Sequence, residues 1–327
     1  MSISRRRFLG GAAAGAAATV SGASEPANAR PNKHMPPEAV GFLFDSTLCV
    51  GCKACVSACK QANDVPMVAP VREPYLDPSV DIGGKALNVI KAFVSGKAQF
   101  KDREEDGFAF VKKSCMHCVD PSCVSVCPVS AMQKDPVTGI VSYDKDRCIG
   151  CRYCVVSCPF GVPRFEYDTA FPQIRKCELC RHLQVQGKIP ACAEACPTGA
   201  TLFGPVAKLK EEARRRLSLK AGTEDKPERR FLGSGEQTRA RPSPKYLDYL
   251  YGEKELGGTQ MLMLAGVPFA KLGMPDLPER SFAARSETVQ HSIYAGMVAP
   301  ALGVIALMAI IGGHLKHRDH HNDHKEH

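Results

Sequence analysis

The residues in this chain able to do chemistry are its sixteen cysteines, and they fall into four groups of four. Cys49, Cys52, Cys55 and Cys59 form C-x2-C-x2-C-x3-C. Cys115, Cys118, Cys123 and Cys127 form C-x2-C-x4-C-x3-C, with Pro128 behind. Cys148, Cys151, Cys154 and Cys158 repeat the first spacing, followed by Pro159. Cys177, Cys180, Cys192 and Cys196 complete the set as C-x2-C-x11-C-x3-C, followed by Pro197. No cysteine is left over, and the thiolate form of each is a metal ligand.

The spacing has a physical reason. Three thiolates two residues apart sit on one tight turn and wrap three corners of a cubane. The fourth cysteine is directed away and, in two-cluster ferredoxins, ligates the neighbouring cluster. A proline behind it stops the chain from continuing as a simple helix. The pattern predicts four 4Fe–4S clusters held by all sixteen cysteines. A disulfide framework is disfavoured, because consecutive C-x2-C steps crowd the thiols too closely for that many bridges of good geometry. Zinc prefers two C-x2-C pairs. The fourth group alone satisfies that preference, but the triple-step groups do not.

The elements that must position these ligands repeat. Asp45, Cys49, Gly51, Cys52 and Cys55 match Asp144, Cys148, Gly150, Cys151 and Cys154. Cys127, Pro128 and Ala131 match Cys196, Pro197 and Ala200. Two motif types thus alternate, as a duplicated two-cluster unit requires. Phe42-Leu43-Phe44 and Ile140-Val141-Ser142-Tyr143 read as short strands ahead of the first and third groups. Lys134 to Gly139 reads as a turn into the second of these. Short helices are expected after the fourth cysteine of each group. The gaps from Cys127 to Cys148 and from Cys158 to Cys177 both fit a two-cluster ferredoxin, so spacing leaves sequential and nested pairing open.

Both ends of the chain carry targeting or membrane signals. Ser4-Arg5-Arg6-Arg7-Phe8-Leu9, an Ala/Gly-rich apolar stretch and Ala27-Asn28-Ala29 read as a twin-arginine export signal with its cleavage site. Such signals suit proteins that fold around a cofactor before export, so the thiols meet iron in a reducing cytosol. Residues 293–313 run 21 positions without a charge, enough to cross a membrane as a helix, and Pro300 is a possible kink point. Lys316, His317 and Arg318 follow, which places the C-terminus inside and the body outside. The expected location is the periplasmic face of the bacterial inner membrane, with the C-terminal helix as anchor.

The formal net charge of +9 does not require a nucleic-acid partner. Residues 1–29 hold three arginines and one glutamate, so their removal leaves +7. Four oxidised clusters, each about −2 with its thiolates, bring the sum near zero. No G-x-G-x-x-G or P-loop is present, as fits a non-catalytic electron carrier.

With these motifs in place, the chain resembles the four-cluster electron-transfer subunits of the DMSO reductase, formate dehydrogenase and membrane hydrogenase complexes, and within them a hydrogenase iron–sulfur subunit. The resemblance rests on FDSTLCVGCKACVSAC, CMHCVDPSCVSVCPVSA, DPVTGIVSYDKDRCIGCRYC and KCELC, and extends into YGEKELGGTQMLMLAGVPF and the tail helix. It implies nested pairing: cluster 1 on Cys49, Cys52, Cys55 and Cys196; cluster 2 on Cys59, Cys177, Cys180 and Cys192; cluster 3 on Cys115, Cys118, Cys123 and Cys158; cluster 4 on Cys127, Cys148, Cys151 and Cys154. It also implies partners: nickel–iron hydrogenase subunits supplying electrons from H2, and an integral membrane quinone-reactive subunit receiving them. The alternatives are the same role beside a molybdenum or tungsten oxidoreductase, or a secreted zinc or disulfide protein. One departure is Lys60, which stands where the other groups have proline.

The expected fold is α+β and loop-rich, with duplicated two-cluster ferredoxin-like modules and one C-terminal transmembrane helix. Its segments are an export signal at 1–29, a four-cluster domain at 30–204, a helix and wrapping region at 205–290, the membrane helix at 291–315 and a His-rich cytoplasmic tail at 316–327. Residues 62–110 read as a surface excursion. Pro205 opens a helix with Val206, Leu209, Ala213 and Leu217 on one face, and Arg214, Arg215 and Arg216 on a solvated one. Residues 220–245 read as a linker or wrapping arm. His117 is at most a tuner of cluster potential, a quinone role for His291 near the outer membrane face is disfavoured, and the tail histidines are read as solvated rather than metal-binding.

Overall fold

The computed structural model describes residues 30–66 and 81–323. The export signal expected at 1–29, part of the 62–110 excursion and residues 324–327 of the tail lie outside the described residues. The chain divides into two compact units, one of Asn32–Ala283 and one that takes in Pro31 and Ala284 onward.

The larger unit is built on strand β1, Val40–Asp45, whose aromatic and branched residues are buried on both faces. Phe42 and Phe44 point into a core that contains Cys49, Cys55, Cys192 and Cys196. Leu43 points the other way, into a second core. The first cysteine group follows β1 and ends in helix α1, Ala54–Ala62. Next come β2 (Val89–Val94), β3 (Phe100–Lys101) and β4 (Gly107–Lys113), which form a three-stranded sheet in the order β2-β4-β3. The excursion is therefore partly regular structure. It puts Ile90, Ala109 and Val111 into the cysteine-bearing core.

Helix α2 (Ser122–Ser125) precedes the hairpin of β5 (Met132–Lys134) and β6 (Val141–Tyr143). Asp135 shapes its turn by accepting from the Val137 and Thr138 N–H groups at 2.9 and 2.6 Å, as the sequence predicts. Helix α3 (Tyr153–Ser157) is followed by the hairpin of β7 (Arg164–Phe165) and β8 (Ile174–Arg175). Then come helices α4 (Arg181–Gln184) and α5 (Ala191–Glu194).

Strand β9 (Thr201–Pro205) lies antiparallel to β1, with Phe203 opposite Phe42. Helix α6, Val206–Ser218, covers the far face of this sheet. Val206, Leu209 and Ala213 are buried there, as predicted, against Leu43 and Leu202. Each buried Val or Leu contributes about 1.5–3 kcal/mol. Arg216 corrects the sequence reading: it is wholly buried, not solvated. It lies seven residues after Leu209 and three after Ala213, on the inward stripe of the helix.

The 220–245 segment forms short strands β10 (Glu224–Asp225), β11 (Arg230–Phe231) and β12 (Arg241–Pro242). It wraps the sheet: β11 adds to β9, and β10 pairs with β12. Strand β13, Met261–Leu264, lies parallel to β1 on its other side, with Met261 opposite Phe42. The sheet order is β11-β9-β1-β13.

In the other unit, the final helix α7 runs over Phe282–Asp323 and continues through Pro300. Its stretch Phe282–Gly313 carries a strongly apolar run, none of it buried. It is the one described helix long and apolar enough to cross a membrane. His291 is exposed on it.

Candidate metal centres

In the first and third cysteine groups, the turn that presents the ligands is the same. Asp45 accepts a hydrogen bond from the Thr47 N–H at 3.0 Å, and Asp144 accepts one from the Asp146 N–H at 3.0 Å. These Asx turns explain why an aspartate stands four residues ahead of the first ligand. Gly51 and Gly150 then adopt φ of 71° each, and Lys53 and Arg152 adopt 57° and 64°. At Gly51 only hydrogen fits, because an added Cβ would lie 2.5 Å from the Phe110 ring.

The second and fourth groups also match each other. His117 and Leu179 occupy equivalent left-handed positions before the second ligand, at φ 46° and 55°. Ser130 and Gly199 do so three residues after the fourth, at 52° and 69°.

The short helices stand between the third and fourth ligands, or carry both, and do not follow the fourth as the sequence reading expects. Cys123, Cys154 and Cys192 sit inside α2, α3 and α5, and Cys127, Cys158 and Cys196 emerge just after them. The prolines behind those cysteines end each helix there. At the first group Lys60 replaces the proline, and α1 runs on to Ala62 with Lys60 buried. The helix then supplies Asn63, whose side-chain amide lies 3.6 Å from Cys59 Sγ and 3.7 Å from Cys180 Sγ.

All sixteen cysteines carry free thiols. Their mutual electrostatics identify neighbours far apart in sequence. Cys49 interacts with Cys196 and Cys52, and Cys55 with Cys192, Cys196 and Cys49. Cys59 interacts with Cys177, Cys192 and Cys180, and the wall of one cavity carries these four thiols together. Cys118 interacts with Cys158, Cys115 and Cys123. Cys154 interacts with Cys127, Cys148 and Cys151. Electrostatic interactions also run between these sets, from Cys55 to Cys192, from Cys177 to Cys115, and from Cys123 to Cys154.

Burial pushes the thiols up, Cys49 to about 11, Cys55 to about 12 and Cys154 to about 11, with neighbouring thiolates raising each further. Cys59 and Cys118 are raised well above the ordinary thiol range by the same causes. Buried thiols raised in this way do not ionise together unless a cationic group binds them. Among the described residues, no three His, Cys, Asp or Glu side chains converge to hold a single ion. Sulfurs spread around a volume, with no histidine or carboxylate among them, fit a polynuclear iron–sulfide core.

Polar groups reach several of the sulfurs. The Ala131 and Met132 N–H groups donate to Cys127 Sγ at 3.2 and 3.5 Å. The Gly150 N–H donates to Cys148 Sγ and the Leu179 N–H to Cys177 Sγ, both at 3.4 Å. Tyr143 hydrogen-bonds Cys148. His117 is wholly buried and its Nδ1 accepts from the Val141 N–H at 3.0 Å. Burial, reinforced by Lys176 and Lys134, pushes its pKa well down, so it is a neutral imidazole.

The sequence carries no local signal that Asn63, Tyr143 or Lys112 reaches the sulfurs: strand alternation puts Lys112 on the half-buried face of Phe108 and Phe110, opposite the buried Ala109 and Val111. Of the sixteen cysteines, Cys151 alone is fully exposed. Around it Ile149, Tyr153 and Val156 present 65, 60 and 86% of their surface to solvent.

Comparison with known proteins agrees with this chemistry. A family described as a 4Fe-4S dicluster domain matches residues 107–206. The hydrogenase-2 operon protein HybA of Escherichia coli O157:H7 is 46% identical over 329 residues, covering 99% of each chain. Protein NrfC of Escherichia coli K12 is 38% identical over 205 residues, 62% of this chain and 81% of its own. The formate dehydrogenase iron-sulfur subunit of Haemophilus influenzae is 30% identical over 299 residues, 88% of this chain and 86% of its own. With sixteen cysteines at cluster-ligand spacing and likeness over nearly its whole length, the chain belongs to the HybA family of iron–sulfur electron-transfer subunits.

Proposed function

We propose that the chain holds four 4Fe–4S clusters in a row and carries electrons from a periplasmic nickel–iron hydrogenase to a membrane quinone-reactive subunit. The observation that supports this reading is that thiols distant in sequence are neighbours: Cys49 with Cys196, Cys59 with Cys177, Cys180 and Cys192, Cys118 with Cys158, and Cys154 with Cys127. Cys49, Cys52, Cys55 and Cys196 hold cluster 1. Cys59, Cys177, Cys180 and Cys192 hold cluster 2. Cys115, Cys118, Cys123 and Cys158 hold cluster 3, and Cys127, Cys148, Cys151 and Cys154 hold cluster 4. The electrostatic interactions of Cys55 with Cys192, Cys177 with Cys115 and Cys123 with Cys154 support the order 1-2-3-4. The matching left-handed positions in alternate groups support two duplicated two-cluster modules.

When bound, such clusters supply one-electron exchange without making or breaking bonds. The chain's own residues fix the separation of the sites, exclude water from most of them, and donate N–H groups to the thiolates. Cys151, with the apolar Ile149, Tyr153 and Val156 around it, gives one end of the row a surface suited to a docked redox partner. The helix of Phe282–Gly313 supports a membrane anchor, and the arginines at Arg5, Arg6 and Arg7 support export by the twin-arginine route.

The likeness to HybA over both full lengths favours the hydrogenase among possible electron sources. The test is purification of the tagged chain from membranes. Recovery of a nickel–iron subunit pair is the expected result. Recovery of a molybdopterin enzyme instead would assign the conduit to a formate dehydrogenase-like complex.

A further inference from the structure

Strand β4 inserts one charged side chain, Lys112, into the interior between two of these sites. It is 0% exposed. Its Nζ lies 4.9 Å from the centroid of the Phe42 ring and 3.4 Å from Thr201 Oγ1, and its charge interacts most strongly with Cys192. Lys112 lines the cavity that also carries Cys59, Cys177, Cys180 and Cys192. Its other charged neighbours are Cys55 and Cys177. Among the described residues no carboxylate forms an ion pair with it.

Two other inward lysines near the cysteines are arranged differently. Lys176 donates to the Val141 carbonyl and, at 3.0 Å, to that of Cys177. Lys134 donates to the Cys118 and Gly139 carbonyls and to Gln260 Oε1, at 3.0, 2.7 and 3.0 Å. Those ammonium groups are solvated by protein oxygens. Lys112 has one distant hydroxyl and a ring face, too little to offset the cost of burying an ammonium, unless the negative charge of the thiolates completes its surroundings.

We propose that Lys112 is the buried countercharge shared by clusters 1 and 2, and that it holds the reduction potentials of these two clusters above the values they would otherwise have. The inference rests on the four-cluster reading and its ligand pairing. Lys112 lines the cavity of Cys59, Cys177, Cys180 and Cys192, and its electrostatic interactions reach both sets: Cys55 belongs to one, Cys192 and Cys177 to the other. Taking up one electron makes a cluster and its four thiolates more negative by one charge. A nearby fixed cation therefore stabilises the reduced form more than the oxidised form. Because a single ammonium serves two sites, it raises both together and keeps the electron from being trapped on either. Clusters 3 and 4 do not share it.

The experiment is a potentiometric titration, followed by electron paramagnetic resonance, of the iron-loaded full-length chain and its K112M variant. The expected result is that two of the four clusters become reducible only at lower potential while the other two stay in place. K112R, which keeps the charge, should return the displaced pair towards the wild-type values. If K112M does not retain its iron, K112R should assemble all four clusters and K112Q should lack two. Potentials unmoved in K112M, a shift shared by all four clusters, or a K112R variant that fails like K112Q would overturn the role of Lys112. A wild-type chain that shows no cluster signals at all would instead overturn the reading on which it rests.

Discussion

Arg216 Nη1 lies 3.0 Å from Asp45 Oδ2, and both side chains are wholly buried. Glu212 Oε1 approaches the same guanidinium at 2.7 Å, and the Tyr246 hydroxyl donates to Asp45 at 2.7 Å. This ion pair fastens helix α6 to the turn that leads into Cys49, because Asp45 also accepts from Thr47 in that turn. Arg216→Met removes the cation and leaves two acids with reduced compensation. Breaking a buried pair from one side costs about 3–5 kcal/mol. Thermal unfolding of the loaded variant should show a large fall in Tm. Unchanged stability would show that the pair contributes nothing to the fold.

The same network has a pH signature. Burial pushes the Glu212 carboxyl up, but Arg215 and Arg216 outweigh it and hold the group below the usual carboxylate range. A lowered carboxyl stabilises the fold above its unfolded pKa of about 4.3 and loses that contribution as pH falls through the folded value. Arg216→Met should flatten this acid-dependent loss of stability. Denaturant unfolding at a series of pH values below about 5 measures it, and identical slopes for both proteins would refute the assignment.

Gly51 and Gly150 share φ of 71°, so alanine costs about 1–2 kcal/mol of backbone strain at either position. Their surroundings differ. A Cβ at Gly51 meets the Phe110 ring at 2.5 Å, whereas at Gly150 the nearest atoms are those of Phe165 at 3.8 Å. Overpacking adds about 1–3 kcal/mol at the first site alone. G51A should therefore lose more stability and more iron than G150A, and the reverse order would contradict the packing around Phe110.

Asn63 donates to sulfurs of Cys59 and Cys180, which the proposed pairing assigns to one cluster. Asn63→Leu removes both donors, and donors to thiolate favour the reduced state. One cluster potential should fall while the other three stay. Movement of two or more clusters would place these cysteines in different sites.

Cys196 interacts with Cys49 and Cys55, across more than a hundred residues of chain. Cys196→Ser should damage one cluster, that of the first motif, and leave the signals of the cluster carried by Cys177, Cys180 and Cys192. Loss of that second cluster in its place would refute the nested assignment.

Much of the site could be read from the sequence because it is local. Cysteine spacing, the Asp45 and Asp144 turns, and the apolar runs of β1 and β6 are written within a few residues of one another. The position of the helices is less legible, because a proline that turns the chain also ends the helix ahead of it, so the helix lies before the proline. Arg216 is obscured by its neighbours: three consecutive arginines suggest a solvated face, although Leu209, Ala213 and Arg216 fall on a single stripe. The parallel pairing of β13 with β1 joins residues more than two hundred apart, and no local signal records it. Lys112 is similar. Alternation in β4 puts it on the half-buried face of Phe108 and Phe110, and its burial is set by Phe42, Thr201 and Cys192, on other elements.

The most direct test of the central claim is the metal content of the purified full-length chain: iron and acid-labile sulfide per polypeptide, with electron paramagnetic resonance of the reduced protein. Four cubanes on sixteen cysteines predict about sixteen irons and about sixteen sulfides per chain, with the spectrum of interacting one-electron centres. A chain that binds zinc and no iron, or whose cysteines are joined in disulfides, would contradict it.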